Sequence, residues 1–379
     1  MESLNIAFFC WESLYAERVG GLASAATNLA ETLAKQHVVH YFTRGSIPDQ
    51  VINGVQYHYC QPFGMNTVQY CDDMSRAMVE QFREADLHRK FDILHFHDWH
   101  PIQALHHLQD RDTILTFHST EYGRNGNHFG DWGEFREISG KEWYGGLIAK
   151  RVTTVSATLK NEILQLYNVP DWKCDVVPNG VMPRQYHADI NAGDVKRAYG
   201  IHPFTPLILF IGRLVYQKGP DLLIEAIRKV CRDRGDARVI VAGDGGMRQS
   251  LQERARDLPI NFIGYIPDSE YIRLLNACDF VVIPSRNEPF GLVLLEAWSA
   301  EKAVVASNVG GLSENIDPFV NGIKAEPDPD SLAWGLSSLI NDPQNAEVLG
   351  RRGRGKVDRM FQWSPIAQRM ISTYARARV

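Results

Sequence analysis

Residues 207–219 read LILFIGRLVYQKG, an apolar run followed by a turn that carries two basic side chains. The five apolar residues Leu207–Ile211 are typical of a strand that is buried on both faces of a parallel sheet. Glycines punctuate the turn, and an amphipathic stretch typical of a helix follows it. The segment therefore predicts a strand, a loop and a helix in succession, with Arg213 and Lys218 at the carboxyl end of the strand.

The same alternation of short apolar runs and amphipathic stretches recurs along the chain and predicts an α/β fold with parallel sheets. In the first half we predict strands at Ile6–Cys10, Val38–Phe42, Ile93–Phe96, Thr113–Phe117, Val152–Val155 and Asp175–Val177. In the second half we predict strands at Leu207–Ile211, Arg238–Ala242, Ile260–Ile263, Phe280–Pro284 and Ala303–Ala306. Turn residues cluster at Val177–Pro183, where we place the boundary between a domain of residues 1–182 and a domain of residues 183–360.

The composition excludes several classes of protein. A chain of 379 residues, 44% hydrophobic and 22% charged, suits two globular domains. The net charge of −5 disfavours a nucleic-acid partner, because phosphate backbones require a basic face. The first ten residues lack the basic region of a signal peptide, and no apolar run approaches the roughly 20 residues of a membrane span. We therefore expect a cytoplasmic protein without membrane contact, whose six cysteines are reduced core side chains.

Gly20 and Gly21 lie between the first predicted strand and its helix. Glycines let the backbone approach a ligand without a Cβ clash, and the helix start offers N–H groups and a positive dipole end to an anion. A phosphate group suits this arrangement, although a tight turn gives the same pattern. In the second half, Arg213 and Lys218 add a planar guanidinium and a point charge that suit a diphosphate.

Residues 284–296, PSRNEPFGLVLLE, place two glutamates around another predicted turn between a strand and a helix. Glu288 falls in the loop, and Glu296 falls about a turn and a half into the helix. Apolar residues flank Glu296, and an unpaired carboxylate there would be costly. We therefore expect Glu296 to have a hydroxyl or cationic partner.

A histidine cluster follows two further predicted strands. His97 and Asp98 end one strand and His118 ends the next, so neighbouring strands would direct the three side chains into one cleft. We do not expect a metal ion, because the spacing of His95 and His97 supplies only two ligands and no second cluster is evident.

Taken together, these stretches resemble glycosyltransferase family 4, the retaining nucleotide-sugar transferases with the GT-B fold, over essentially the whole chain. Four motifs carry the resemblance in the family's order: Pro-Asn-Gly-Val at 178–181, Gly-Arg-Leu-x-x-x-Lys-Gly at 212–219, the two glutamates at 288 and 296, and Val-Gly-Gly-Leu-Ser-Glu at 309–314. The resemblance implies two Rossmann-like, doubly wound domains facing a central cleft. It also implies that a C-terminal helix in residues 361–379 crosses back onto the first domain.

The resemblance further implies a role for each matching residue. The implied catalytic residues are His118, Glu288, Arg213 and Lys218. The implied donor-binding residues are Gly20 and Gly21 at the diphosphate, Ile266 at the nucleobase, Phe290, Gly291 and Leu292 at the transferred sugar, and Glu296 at the ribose. No metal ion and no other cofactor is implied, because the two cations replace a divalent ion.

Acceptor contacts are predicted at Asp98, Glu121 and Tyr122. The last two begin the segment Glu121–Tyr144, which we predict to be a long irregular loop whose aromatic rings stack on sugar faces, although a packed surface loop fits the same residues.

Within the family, Arg18–Leu22 and His95–His100 look most like glycogen and starch synthases. Arg18 stands where those enzymes have lysine, and Glu296 keeps a family glutamate that bacterial glycogen synthases usually lack. The implied activity is retaining transfer of a hexosyl group from a UDP-, ADP- or GDP-linked sugar to an acceptor hydroxyl of a glucan or another glycoside. Three alternatives stay open on the same fold: a nucleotide-sugar 2-epimerase, a disaccharide synthase or phosphorylase, and a non-catalytic nucleotide-sugar sensor. The sequence assigns no oligomeric state.

Overall fold

The computed structural model describes residues 3–233 and 237–378. The chain divides into two compact units. Unit 1 consists of Met1–Tyr122, His128–Gly180 and Trp363–Val379, and unit 2 of Gly123–Asn127 and Val181–Gln362. The observed boundary thus lies two residues before the predicted one. In addition, the short segment Gly123–Asn127, which we assigned to the first domain, belongs to unit 2.

The strands of the described residues are β1 Asn5–Phe9, β2 Val38–Arg44, β3 Gln50–Ile52, β4 Val55–Cys60, β5 Ile93–His97, β6 Thr113–Phe117, β7 Arg151–Thr154, β8 Cys174–Val176, β9 Leu207–Ile211, β10 Arg238–Ala242, β11 Ile260–Gly264, β12 Phe280–Ile283, β13 Ala303–Ser307 and β14 Ile323–Ala325. The helices are α1 Gly21–Leu33, α2 Thr67–His88, α3 Ile102–His107, α4 Glu121–Arg124, α5 Gly133–Ile148, α6 Ala157–Tyr167, α7 Ala192–Ala198, α8 Pro220–Asp233, α9 Arg248–Arg254, α10 Asp268–Ala277, α11 Leu292–Ser299, α12 Gly310–Asn315, α13 Pro329–Asn341, α14 Pro343–Met360 and α15 Trp363–Ala377.

Each unit is built on a sheet whose strands pair in parallel, except for the antiparallel edge strand β3 of unit 1. The sheet of unit 1 has the order β3-β4-β2-β1-β5-β6-β7-β8, and that of unit 2 has the order β11-β10-β9-β12-β13-β14. In both sheets the first long strand, β1 or β9, lies in the interior, and later strands add on either side of it. This doubly wound order creates a crevice at the carboxyl ends of the strands where the winding reverses. The predicted α/β class is confirmed in both units.

Apolar residues, many of them β-branched, fill the strands inside each sheet. Every residue of β5, β6 and β13 is buried. Burial on both faces is expected where helices cover both sides of a parallel sheet. The polar residues that β5 and β6 nevertheless contain find partners inside the sheet, as His95 and Thr116 do with each other. The six cysteines are free thiols, and five of them are buried.

Three strands were not predicted: β14 at the edge of the second sheet, and β3 and β4, which form an antiparallel hairpin at the edge of the first sheet. Asn53 and Gly54 connect them, with φ angles of 50° and 84°. A two-residue hairpin turn of this kind needs positive φ at both positions, which asparagine and glycine tolerate. The hairpin therefore has a local sequence signal that our prediction overlooked.

The predicted irregular loop at Glu121–Tyr144 is wrong for much of its length. It contains α4 and the larger part of α5. Phe135 and Ile138, three residues apart on α5, are both buried. This helical spacing of apolar side chains outweighs the glycines that suggested a loop.

The C-terminal helix α15 belongs to unit 1, where it contacts α1. Tyr374 on α15 is fully buried, and its hydroxyl lies 2.8 Å from Nδ1 of His95 in β5. Arg376 donates a hydrogen bond of 2.7 Å to the carboxylate of Asp175. A buried polar contact and an exposed ion pair thus join the end of the chain to this sheet.

Replacing Tyr374 by phenylalanine should lower the free energy of unfolding by about 1–2 kcal/mol, because a buried nitrogen of His95 loses its partner. Urea unfolding followed by circular dichroism measures the change. Tyr265→Phe is the matched control, since Tyr265 is 79% exposed and the change should stay within about 0.5 kcal/mol. Equal losses in the two variants would contradict a stabilising contact at Tyr374.

Candidate functional site

In unit 2 the predicted residues gather at the carboxyl ends of β9 and β12, two paired strands. The winding of the sheet reverses between them, because β10 lies on the other side of β9. Arg213 and Lys218 follow β9, and Glu288 follows β12. The crevice expected for a doubly wound sheet therefore carries three of the predicted catalytic side chains.

Lys218 and Glu288 form a direct ion pair. Lys218 Nζ donates to Glu288 Oε2 at 2.7 Å, and both side chains are largely buried. The neighbouring Arg213 is exposed, and its guanidinium donates to Oε1 of the buried Gln217 at 3.3 Å. The loop after β9 thus presents one cation that is paired within the protein and one whose side chain reaches solvent.

Two glycines allow other backbone segments to pack against the loop after β12. Gly219 has a φ of 62°, and a Cβ there would lie 2.0 Å from the carbonyl oxygen of Pro284. Gly310 has a φ of 50°, and a Cβ there would lie 2.1 Å from the carbonyl oxygen of Glu288. Both positions combine a left-handed conformation with a contact that only glycine permits. They explain the glycines at the end of the 212–219 motif and within the 309–314 motif.

Glu296 was predicted to have a hydroxyl or cationic partner, and it has two hydroxyl partners. Tyr271 donates to its Oε2 at 2.6 Å, and Tyr186 donates to its Oε1 at 3.1 Å. Burial, and then the neighbouring carboxylate, raise the pKa of Tyr271 well above its ordinary value, so its hydroxyl stays a donor. The two tyrosines lie 110 and 25 residues from Glu296 in sequence, and no local pattern identifies them.

The remaining residues of unit 2 that are predicted to bind the donor lie at the same edge of the sheet. Gly291, with a φ of 94°, caps α11, so Leu292 begins the helix directly after Phe290 and Gly291. Ile266 follows β11, an outer strand beside β10. The start of α11 therefore supplies backbone N–H groups close in sequence to Glu288.

The segment Gly123–Asn127 contacts the loop that carries Glu288. Asn127 donates to the carbonyl oxygen of Arg286 at 3.2 Å, and its own side-chain oxygen accepts a bond of 2.7 Å from Asn287. Arg286 in turn pairs with both carboxylate oxygens of Asp221 at 2.7 and 2.8 Å. Our sequence reasoning did not single out Asn127, because its partners are about 160 residues away.

In unit 1 the glycine loop after β1 is held by a carboxylate that we did not predict. Oε2 of Glu12 accepts the backbone N–H groups of Val19 at 2.6 Å and of Gly20 at 3.0 Å. Glu12 is buried, and this burial raises its pKa above the ordinary value. The Gly20 amide is thus engaged within the protein, whereas α1 begins at Gly21. An acid two residues after a predicted buried strand was the available signal.

His118, His97 and Asp98 are brought together as the sequence predicted. His97 ends β5 and Asp98 follows it, whereas His118 follows β6, and these two strands pair in parallel. Nδ1 of His97 lies 3.0 Å from Nε2 of His118, and Oδ1 of Asp98 accepts the backbone N–H of His118 at 2.6 Å. Asp98 is 4% exposed, so its observed contacts position His118, and an acceptor role stays a prediction.

The histidines of this cluster are electrically neutral near pH 7. Burial lowers the pKa of His118 to about 3. Burial, followed by repulsion from neighbouring histidines, lowers the pKa of His95 and of His97 well below the ordinary value. His118 can therefore offer a hydrogen bond, and it is not a cation at this pH.

Glu121 and Tyr122, the other predicted acceptor residues, begin α4. The backbone N–H of Glu121 donates to Oε2 of Glu142 at 2.9 Å. The ring of Tyr122 packs against Phe129, with 4.8 Å between the ring centroids. Glu142 is buried, so it fixes the start of α4 from within unit 1.

Neither a metal-binding cluster nor a membrane-spanning helix is present among the described residues. Over residues 3–233 and 237–378, no group of three or more His, Cys, Asp and Glu side chains is arranged to hold a metal ion. Over the same residues, no helix combines the length and the hydropathy of a membrane span.

Family models and curated relatives match both halves of the chain. The model described as Glycosyltransferase Family 4 matches residues 19–185, and the model described as Glycosyl transferases group 1 matches residues 194–356. An uncharacterised glycosyltransferase of Methanocaldococcus jannaschii is 34% identical, with 98% of each chain covered. A glycogen synthase of Mycobacterium tuberculosis is 28% identical, with 95% of this chain and 92% of the relative covered.

Solved glycosyltransferase structures share the fold. The catalytic domain of starch synthase IV from Arabidopsis thaliana, bound to ADP and acarbose, superposes with a TM-score of 0.82 at 18% identity, with all of both chains covered. HepE of Anabaena, in complex with UDP-glucose, superposes with a TM-score of 0.78 at 17% identity, with 98% of this chain and 99% of that chain covered. These similarities confirm the predicted GT-B fold class.

The neutral histidine cluster makes stability depend on pH. Because the folded-state pKa of His118 lies below the 6.5 of an ordinary histidine, the unfolded chain binds more protons below about pH 6.5. The free energy of unfolding should therefore fall as the pH decreases through 6.5 towards 3. In His118→Asn the loss between about pH 7 and pH 5 should be smaller than in the wild type by about 2 kcal/mol. Urea unfolding at both pH values tests this, with exposed His187→Asn as control; identical pH dependence of His118→Asn and the wild type would contradict it.

Proposed function

Because the chain belongs to the glycosyltransferases of family 4, we propose that it transfers a hexosyl group from a nucleotide-diphosphate sugar to an acceptor hydroxyl with retention of configuration. The observation that carries the proposal is the assembly of Arg213, Lys218 and Glu288 at the reversal point of the second sheet. Glu296 stands on the helix that follows the same loop. Two cations and two carboxylates suit a ligand that is both a diphosphate and a polyol.

The donor is proposed to be a UDP-, ADP- or GDP-linked hexose. The ADP bound to starch synthase IV and the UDP-glucose bound to HepE support a nucleotide sugar. The acceptor is proposed to be a glucan or another glycoside, with contacts at Asp98, Glu121 and Tyr122. The glycogen synthase relative supports a carbohydrate acceptor.

Catalysis is proposed to rest mainly on charge. As the bond between the sugar and the diphosphate breaks, negative charge develops on the phosphate oxygens, and fixed cations stabilise it without reorganising at that moment. Arg213 and Lys218 supply these cations in our proposal. Lys218 would exchange its 2.7 Å contact with Glu288 for a phosphate oxygen, and the freed carboxylate would then accept hydroxyl groups of the sugar.

The other residues are proposed to orient the donor. Glu296, already fixed by two tyrosine hydroxyls, would bind the ribose hydroxyls, and the backbone N–H groups at the start of α11 would bind the transferred sugar. His118 would contact the sugar as a neutral hydrogen-bonding group. Retention would follow from attack on the same face from which the diphosphate leaves, with a phosphate oxygen taking the proton of the acceptor hydroxyl.

A product assay tests this function against the alternatives. UDP-, ADP- and GDP-hexoses are first ranked by the thermal shift that each causes. The best donor is then incubated with oligosaccharide acceptors, and we expect free nucleoside diphosphate and a new glycoside with the anomeric configuration of the donor. A changed sugar still attached to nucleotide would instead identify an epimerase, and use of inorganic phosphate a phosphorylase. Binding without transfer or hydrolysis would identify a sensor.

Arg213→Ala and Lys218→Ala should each lower kcat about a hundredfold or more if these side chains stabilise developing charge. Arg256→Ala, which removes an exposed cation from the same unit, is the control and should leave kcat unchanged. Near-normal turnover of both site variants, with folding verified by circular dichroism, would reject the proposed role.

Chelation should leave the reaction nearly intact, because Arg213 and Lys218 are proposed to carry out the charge neutralisation that a divalent cation performs in other transferases. Initial rates with and without EDTA measure this directly. Complete loss of activity with EDTA, restored by added magnesium, would overturn a metal-independent mechanism.

A further inference from the structure

Unit 1 contains a pocket of about 520 Å³ on the surface formed by α4, α5 and the end of α6. Aromatic rings dominate its lining, among them Tyr122, Phe129, Trp143 and Tyr167. Phe129 and Trp143 are 74% and 48% exposed. Large rings that solvent reaches this freely are not part of a core, and a group of them around a pocket marks a surface for binding.

The polar part of the lining consists of Arg136, Ser139 and Gln165. These side chains offer donors and acceptors that suit hydroxyl groups. Tyr167 in the lining is held in place, because its hydroxyl donates to the buried carboxylate of Glu142. That carboxylate also accepts the backbone N–H of Glu121, so the pocket and the predicted acceptor residues share one fixed support.

Gly140 keeps the pocket open. It lies inside α5, where glycine is less favourable than every other residue except proline. A Cβ added there would meet no heavy atom within 4 Å, so close packing does not require a glycine at this position. One helical turn separates it from Arg136 on one side, and Trp143 lies three residues beyond it, both on the pocket lining. A side chain at this position would project into the space between them.

We propose that this pocket binds a pyranose ring of a carbohydrate chain, and that it holds part of a polymeric acceptor. The apolar C–H faces of a sugar pack on aromatic rings, while its hydroxyls find polar partners at the edge, which is the chemistry that the lining provides. The inference rests on the proposed function, because it assigns the acceptor to the oligosaccharides.

A lipid surface is the less suitable occupant. Three exposed carboxylates, Asp131, Glu134 and Glu137, are close in sequence to residues that line the pocket. Anionic headgroups are repelled by such a surface. The neutral hydroxyls of a glycan carry no such cost.

The test compares Gly140→Leu with Gly133→Leu. Both glycines lie on α5 with no heavy atom within 4 Å of an added Cβ, but only Gly140 lines the pocket. Isothermal titration calorimetry with maltoheptaose, cellohexaose and mannohexaose measures binding to the full chain. We expect at least one oligosaccharide to bind the wild type, Gly140→Leu to weaken that binding about tenfold or more, and Gly133→Leu to leave it unchanged. The melting temperature of Gly140→Leu should not fall, because leucine favours the helix.

Trp143→Ala should weaken the same binding, with exposed Trp172→Ala as its control. Hydrolysis of the nucleotide sugar in the absence of acceptor separates this inference from the proposed function. A Gly140→Leu enzyme that hydrolyses donor normally but has lost oligosaccharide binding supports the pocket. The wild type could instead bind oligosaccharide through the pocket but neither hydrolyse nor transfer any nucleotide sugar. That result would support the pocket as a binding site and reject the proposed transferase activity. Three outcomes would overturn the inference. The two leucine variants could bind equally well, or none of the three oligosaccharides could bind. Alternatively, the wild type could float with phosphatidylglycerol vesicles and lose this property in Gly140→Leu.

Discussion

The site in unit 2 depends on two places where the backbone passes too close for any side chain but hydrogen. Gly219 lies under the carbonyl of Pro284, and Gly310 lies against the carbonyl of Glu288. The first contact fixes Gly219, the neighbour of Lys218 in the chain. The second fixes the backbone of Glu288, whose carboxylate pairs with Lys218. The ion pair is therefore determined by main-chain packing. Flexible side chains alone could not hold it so closely, because their rotamer freedom opposes a single geometry.

Unit 1 likewise fixes a side chain through a main-chain contact, but the side chain it fixes is a neutral histidine. Asp98 accepts the backbone N–H of His118, while burial removes the positive charge that His118 would otherwise gain in weak acid. His95 connects this region to Tyr374 near the end of the chain. A residue in the last helix thus supports β5, the strand that carries His95 and His97, which makes the C-terminal segment part of the architecture that places His118.

Much of the fold was accessible from sequence because parallel sheets produce continuous apolar runs. Leu207–Ile211 and Arg238–Ala242 were predicted to the residue. The β3–β4 hairpin was missed although Asn53 and Gly54 signalled it, because β3 has only three residues, none of them buried, and the polar Gln56 and His58 interrupt the apolar residues of β4. The site was predictable where it follows strand ends. Partners such as Tyr186 of Glu296 were not, because tertiary contacts over 110 residues leave no local pattern.

In both units, a carboxylate of the chain binds a donor or a cation that could otherwise bind an anionic ligand. Glu12 holds the amide of Gly20, and Glu288 holds the ammonium of Lys218. For the proposed reaction, a diphosphate would not simply add to Lys218, since it would have to replace an existing ion pair. The free energy gained by this exchange is smaller than the full attraction between Lys218 and a phosphate, because Glu288 already compensates Lys218 for its desolvation. The affinity for donor should consequently depend on the hydrogen bonds that Glu288 forms after it loses Lys218. The hydroxyl groups of the sugar are suited to donate these hydrogen bonds. Binding of the sugar and of the diphosphate would then be coupled through one carboxylate.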